Sequence, residues 1–169
     1  MIFVTVGSQK FQFNRLLKQI DKLIENNLIK DDVFAQIGYS DYNPIHYRYK
    51  EFITQEEFKE KIKASNFIIT HGGTGVIITA LKNNKKVIGI PRLKEYQEHV
   101  DNHQIQLINE FKDLHFIEPV YEIKDLGKAI KKITQTEYNK YISNTQKLIE
   151  DIIKFIEEWD KERLYERTT

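Results

Sequence analysis

The sequence predicts an α/β domain in which helices flank a parallel sheet. Two observations carry that expectation. Short β-branched runs alternate with longer segments whose apolar residues recur at helical spacing, the pattern of successive βαβ units. In addition, a glycine-rich turn, His71-Gly72-Gly73-Thr74-Gly75, stands where one strand passes into a helix.

The elements follow in order. Residues 2–6 (IFVTV) read as a buried strand ended by Gly7. Phe13, Leu16, Leu17, Ile20, Leu23 and Ile24 then place an amphipathic helix over roughly 11–27. A second strand at 33–37 closes at Gly38. A Tyr-rich stretch from Tyr39 to Tyr49 follows; Pro44 marks a loop in it, and 45–49 read as a third strand. This stretch either packs structurally through its rings or offers them to a base or a partner surface.

Residues 55–64 predict a short polar helix, 66–70 a strand, 74–83 a helix, and 87–90 a strand stopped by Pro91. A helix over 98–111 and a last short strand at 115–117 come next. From about 124 onward the chain reads as one long helix, with Tyr138, Tyr141, Ile142, Thr145, Leu148, Ile149, Ile152, Ile156 and Trp159 on its apolar face. Without repeats or low-complexity linkers, 1–169 reads as a single Rossmann-like domain. Its core spans about 1–120 and its C-terminal helical part about 121–169. Right-handed crossovers would bring the loops after the strands to one sheet edge.

Composition narrows the function classes. Among 169 residues, Lys plus Arg number 26 against 25 Asp plus Glu, a net charge of +1 without the basic excess of a dedicated nucleic-acid binder. The absence of cysteine excludes disulfide frameworks, thiolate zinc sites and cysteine nucleophiles. No stretch approaches the ~20 apolar residues of a spanning helix, and the opening MIFVTVGSQK lacks a basic leader region, so a cytoplasmic chain is expected.

The glycine turn carries the strongest chemical signal. Backbone amides at a strand-to-helix turn favour an anion, most naturally a phosphate, and Thr74 and His71 can add side-chain donors. A plain structural turn is the alternative. The pattern is neither a P-loop nor a dinucleotide fingerprint, because only Gly7 follows the first strand; NAD-dependent chemistry thereby loses support. Gly7-Ser8-Gln9 either lines the same cleft or forms an ordinary turn. Glu98-His99-Val100-Asp101-Asn102-His103-Gln104 clusters donors and acceptors suited to sugar hydroxyls, or else is a solvated helix start. His99 and His103 stand four residues apart, but no H-E-x-x-H pattern is present, and no metal is expected.

The run THGGTGVIITALKNNKKVIGIPR, followed by EHVDNHQIQL, resembles the C-terminal, donor-binding half of family 28 glycosyltransferases, which have the GT-B fold. VTVGSQKFQFNRLL and FAQIGYS are similar to the start of the same half, and the likeness covers roughly residues 1–111. It is strongest toward the small subunits of two-component transferases. These include bacterial exopolysaccharide and capsule enzymes, and the donor-binding subunit that adds the second N-acetylglucosamine to a dolichol-linked sugar in eukaryotes.

The resemblance implies one half of a GT-B fold that binds a UDP-sugar. By it, Gly72, Gly73, Thr74 and Gly75 form the diphosphate loop with His71 at its leading edge. Glu98 and His99 contact the donor hexose, while Asn102 and Gln104 help bind sugar or ribose. Gly7 and Ser8 form the first loop facing the interdomain cleft, Gly38 ends the second strand, and 45–49 lie near the base. His71 and Glu98 are the candidate catalytic residues. Thr79 stands where many relatives carry an acidic residue for the ribose hydroxyls, so one neutral bond would replace a charge-assisted pair.

The implied reaction is transfer of a hexose or N-acetylhexosamine from the UDP-sugar to a lipid-linked saccharide in polysaccharide biosynthesis, without cofactor or metal. The implied partner is a membrane-associated acceptor-binding subunit that recruits this chain to the inner membrane face. The isolated chain would be able to form a homodimer through that partner face. The alternative is a non-catalytic nucleotide-sugar-binding or activating subunit of such a complex.

Overall fold

In the computed structural model, which describes residues 1–143, six parallel strands form one sheet. They are β1 (Ile2–Thr5), β2 (Val33–Gln36), β3 (Arg48–Lys50), β4 (Phe67–His71), β5 (Lys86–Ile90) and β6 (Glu118–Pro119). Their spatial order is β3-β2-β1-β4-β5-β6. Val4 pairs with Ala35 on one side and Ile69 on the other. The chain builds outward from β1 to β3, then returns to place β4 beside β1. The loops after β1 and β4 therefore diverge, and the crevice of such a sheet opens between them.

Alternation within the strands explains the layers. Ile2, Val4 and Val6 pack with α1 (Asn14–Glu25) and α5 (Leu126–Gln135), whereas Phe3, Phe34 and Ile68 pack with α2 (Gln55–Ala64), α3 (Thr74–Lys82) and α4 (His103–Asp113). Covering both faces is why the strands read as continuous apolar runs. The stripe Leu16, Leu17, Ile20 and Leu23 seats α1 on the sheet. Each such fully buried side chain contributes about 1.5–3 kcal/mol. The helix α2 starts where Thr54 Oγ1 accepts from the Glu57 amide at 3.1 Å, a side-chain cap.

Three boundaries differ from expectation, for tertiary or local backbone reasons. The third strand lies at Arg48–Lys50 and not at 45–49. Asp21, buried on α1, accepts from the amides of Ile45 (2.9 Å) and His46 (2.8 Å) and from the Tyr42 hydroxyl (2.7 Å), drawing those residues into a loop. Tyr47 is buried and donates to Leu17 O at 3.1 Å, so this part of the Tyr-rich stretch is packing. The helix expected over 98–111 begins only at His103, because Lys94–Tyr96 form a 3-10 turn and Gln97 takes a left-handed φ of 57°. The last strand is Glu118–Pro119 and not 115–117, since His115 leaves α4 with a φ of 55°.

The expected continuous C-terminal helix also stops early: α5 ends at Gln135 and Thr136 is extended. Residues 137–143 have no regular structure; the Asn139 amide donates to His115 O at 2.9 Å, and the Tyr138 hydroxyl to Glu118 Oε2 at 2.8 Å. The remainder of that helix expectation, from Thr145 to Trp159, lies outside the described residues. Among the described residues, no helix is long and apolar enough to cross a membrane.

Candidate functional site

At the carboxyl ends of β1 and β2, where Thr5 and Gln36 line it, lies a cleft of about 490 Å³. It is also lined by Ile53 and Phe58, by Gly7 and Ser8 from the loop after β1, and by Gly75, Val76 and Thr79 from α3. Thr54, Gln55 and Lys59 close it from the start of α2. Apolar area from Ile53, Phe58 and Val76, interleaved with polar side chains that include the buried Thr5 and Gln36, suits a flat heterocycle carrying polar substituents. Of the expected site residues, the structure brings Gly7, Ser8, Gly75 and Thr79 together here.

The glycines at this edge are bare for different reasons. Gly7 adopts φ +79°, a left-handed conformation, and a Cβ there would stand 2.6 Å from His71 Cε1. Gly73 has an ordinary φ of −77°, yet its Cβ would stand 2.7 Å from the same His71 Cε1. Both residues make room for one imidazole. At Gly72 a Cβ would approach Gln104 Cβ to 2.8 Å. Gly75 is different: a Cβ there would meet nothing within 4 Å, and the residue lines the cleft. Packing among the described residues does not account for it.

The start of α3 faces the same edge. Its first helical bond runs from the Ile77 amide to Gly73 O at 3.2 Å, and no side chain caps the end. The preceding amides of Thr74, Gly75 and Val76 therefore fall outside the helical ladder and concentrate partial positive charge. Thr74 is exposed at this terminus.

His71 lies buried behind the turn. Burial, together with the nearby Arg92 guanidinium, pushes its pKa down to about 3. The ring is neutral at physiological pH. Nδ1 lies 3.3 Å from Thr70 Oγ1, which itself donates to Thr5 O at 2.9 Å. A neutral imidazole in this position can donate one hydrogen bond but carries no cationic charge.

The residues after β5 form a buried polar bracket. Gln104 Oε1 accepts from the Gly72 amide (3.1 Å) and the Arg92 amide (3.0 Å), tying the glycine turn to the next loop. Arg92 is wholly buried, and its Nη2 donates to Val6 O (2.6 Å) and Phe11 O (3.2 Å). Among the described residues its Nε and Nη1 have no hydrogen-bond partner, and burial lowers its pKa to about 10, leaving it a cation. Glu98 is 1% exposed; Arg15 Nε donates to both its oxygens (2.8 and 3.0 Å) and the Leu93 amide to one (3.0 Å). Burial pushes its carboxyl pKa up, against the pull of Arg15.

Thus Glu98 and Gln104 direct their oxygens inward, and the exposed Asn102 uses Oδ1 to accept from the Lys94 amide at 2.9 Å. His99 is buried against the Phe11 ring, with centroids 5.0 Å apart. None of these four lines the cleft. Thr79 does, but its hydroxyl already donates to Gly75 O at 2.6 Å. Gly38, at the end of β2, backs onto Gly7: a Cβ there would come within 2.7 Å of Gly7 O.

Sequence reasoning missed the α2 contribution to the cleft. It placed the base near 45–49, whereas the cleft is lined from 53–59. Spacing could not reveal this, because the sheet order alone brings the start of α2 beside α3. The capping pattern of Thr54 and Glu57 was the available signal for a helix start at this edge. It also assigned no role to Arg15 and Arg92, although both stand inside the runs that carry the family likeness.

Comparison with solved structures finds the same fold in larger proteins. The glycosyltransferase of kitacinnamycin superposes with a TM-score of 0.60 at 14% identity, over 80% of this chain and 35% of that one. MurG from Acinetobacter baumannii does so at 0.54 and 13%, over 78% of this chain and 40% of that one. The chain thus spans well under half the length of these transferases. A molybdenum cofactor binding protein from Rippkaea orientalis also shares the fold (0.51, 14%), over 79% of this chain and 96% of that one. No curated protein matches the sequence. The glycosyltransferase family 28 C-terminal domain, however, matches residues 1–158, nearly the whole chain. The chain therefore belongs to the glycosyltransferase family 28 C-terminal domain family.

Proposed function

We propose that this chain binds the UDP-sugar donor of a two-component glycosyltransferase. The observation that carries the reading is Gly75: it is bare beside a 490 Å³ cleft, at the uncapped start of α3, although nothing among the described residues needs the space. A ligand that approaches the backbone closely accounts for it. The base would lie over Ile53 and Phe58, the ribose near Thr79, and the diphosphate against the amides of Thr74, Gly75 and Val76.

In this reading the sugar is a hexose or N-acetylhexosamine, transferred to a lipid-linked saccharide for an exopolysaccharide or capsule. The acceptor lies on a separate membrane-associated subunit, which recruits this cytoplasmic chain to the membrane. Cleavage of the sugar–phosphate bond leaves negative charge on UDP. The α3 amides, preorganised and needing no reorientation, stabilise that charge without a metal. Neutral His71 acts as a hydrogen-bond donor or as the support of the turn, and its low pKa makes it a poor proton acceptor. Glu98 holds the loop after β5 rather than touching sugar.

A second reading, a non-catalytic donor-binding or activating subunit, draws on the same inward-turned Glu98 and Gln104. Both readings require nucleotide binding. Calorimetric titration with UDP, with ADP and NADH as controls, tests it: saturable binding of UDP alone is expected, abolished in Gly75→Leu while the melting temperature is kept. Equal binding by the variant would overturn the placement. Transfer assays with the acceptor subunit then divide the two readings: in a His71→Ala variant that still binds UDP, turnover is lost only if this chain shares in the chemistry.

A further inference from the structure

We propose that His99, Asp101 and His103 form a binding site for a divalent transition-metal ion. The three occupy alternate positions in the turn entering α4, and one ligand atom from each lies within 4.8 Å of the others. His99 Nδ1 is 3.2 Å from Asp101 Oδ1, and His103 Nδ1 contacts the same oxygen. The two imidazoles stand edge to face with centroids 4.6 Å apart.

The spacing suits an ion. Metal–ligand bonds of about 2.0–2.2 Å put neighbouring donor atoms roughly 3 Å apart. The His99–Asp101 pair already meets that distance. His103 Nδ1 and Asp101 Oδ1, in contact without the ion, would separate to that distance as the metal takes its place between them. Two imidazole nitrogens with one carboxylate favour Zn²⁺, Co²⁺ or Ni²⁺ over Mg²⁺ and Ca²⁺, which take oxygen ligands.

Part of the site is preorganised. His99 is buried against Phe11, which limits the ring's freedom. The Asp101 amide points at His99 Nδ1 from 3.4 Å, a contact made in the tautomer that leaves this nitrogen its lone pair, the form a metal ligand requires. The His103 amide donates to Asp101 Oδ1 at 3.1 Å and anchors the carboxylate at the start of α4. Asp101 and His103 are exposed, which gives an ion a path in and leaves coordination positions for water or a ligand oxygen.

The test uses the full chain, free of any affinity tag and stripped with chelator. Co²⁺ is followed by visible absorption and Zn²⁺ by calorimetry. Saturable binding of a single ion is expected, with Asp101→Asn and His103→Asn each weakening it at least about tenfold, as even a partner of a ligand is worth that much. His46→Asn and His115→Asn should bind as the parent does. Because it needs no variant, NMR of the unaltered chain gives a second readout: Zn²⁺ should shift the ring signals of His99 and His103 and leave those of His46 and His115. Absence of saturable binding, an unweakened Asp101→Asn/His103→Asn double variant, or shifts confined to His46 and His115 would overturn the site.

Discussion

The imidazole of His71 occupies the space that a side chain on Gly73 would need: a Cβ at Gly73 would stand 2.7 Å from His71 Cε1. The glycine is ordinary in backbone conformation, with φ −77°. Its requirement is therefore a packing match between two residues of one turn. That match predicts coupling. Gly73→Ala should cost about 1–3 kcal/mol as an overpacking change. Adding His71→Ala should restore part of it, so that the double variant loses less than the sum of the singles in urea melts. Simple additivity would show that the two residues do not share the space.

Gly75 should behave in the opposite way. It sits in the first turn of α3 with open space at its Cβ position, so Gly75→Ala should keep or raise stability, by up to about 0.5–1 kcal/mol. Thermal unfolding measures it. A loss of stability comparable to that of Gly73→Ala would mean that the glycine serves the fold.

His71 should make stability depend on pH. Its pKa falls from 6.5 to about 3 in the folded chain, because burial and Arg92 disfavour the charged ring. Above pH 6.5 both folded and unfolded chains hold it neutral, and its contribution is complete. Below 6.5 only the unfolded chain gains the proton, so stability falls by up to about 1.4 kcal/mol per pH unit until the pH nears 3. His71→Gln should lack this component, seen as the difference between the two pH profiles. Arg92→Met should let the native ring titrate at a higher pH, narrowing the window. Identical profiles for parent and His71→Gln would contradict the buried neutral ring.

Glu98 should be a structural anion. Its pair with Arg15 is nearly closed to solvent, 1% and 16% exposed, and removal of one partner from such a pair costs about 3–5 kcal/mol. Glu98→Ala should lose stability on that order, and Arg15→Met should recover part of it by removing the stranded cation. If Glu98→Ala instead melted like the parent while transfer failed, the residue would be acting on the sugar.

How much was legible depended on where each signal came from. The strands β1, β2, β4 and β5 were readable because burial on both faces makes them continuous apolar runs. The helix α2 was readable to the residue, since its polar composition ends at a local cap, Thr54. The edge strands were not. All three residues of β3 are exposed, and its position follows from Asp21 capturing the amides of Ile45 and His46 from another element. The glycine turn was legible as a turn, but its glycines looked alike in sequence.

By itself, then, the sequence determined the α/β class, the strand-to-helix glycine turn and the family likeness. These rest on local periodicity, backbone sterics and a residue pattern that survive without neighbours. Only the tertiary structure decided which glycine faces the protein and which faces open space. It also turned Glu98 and Gln104 inward and brought the start of α2 to the cleft. Such choices depend on contacts between residues as far apart in the chain as Arg15 and Glu98, and burial decides them by charging a buried polar group its desolvation cost unless a partner is at hand.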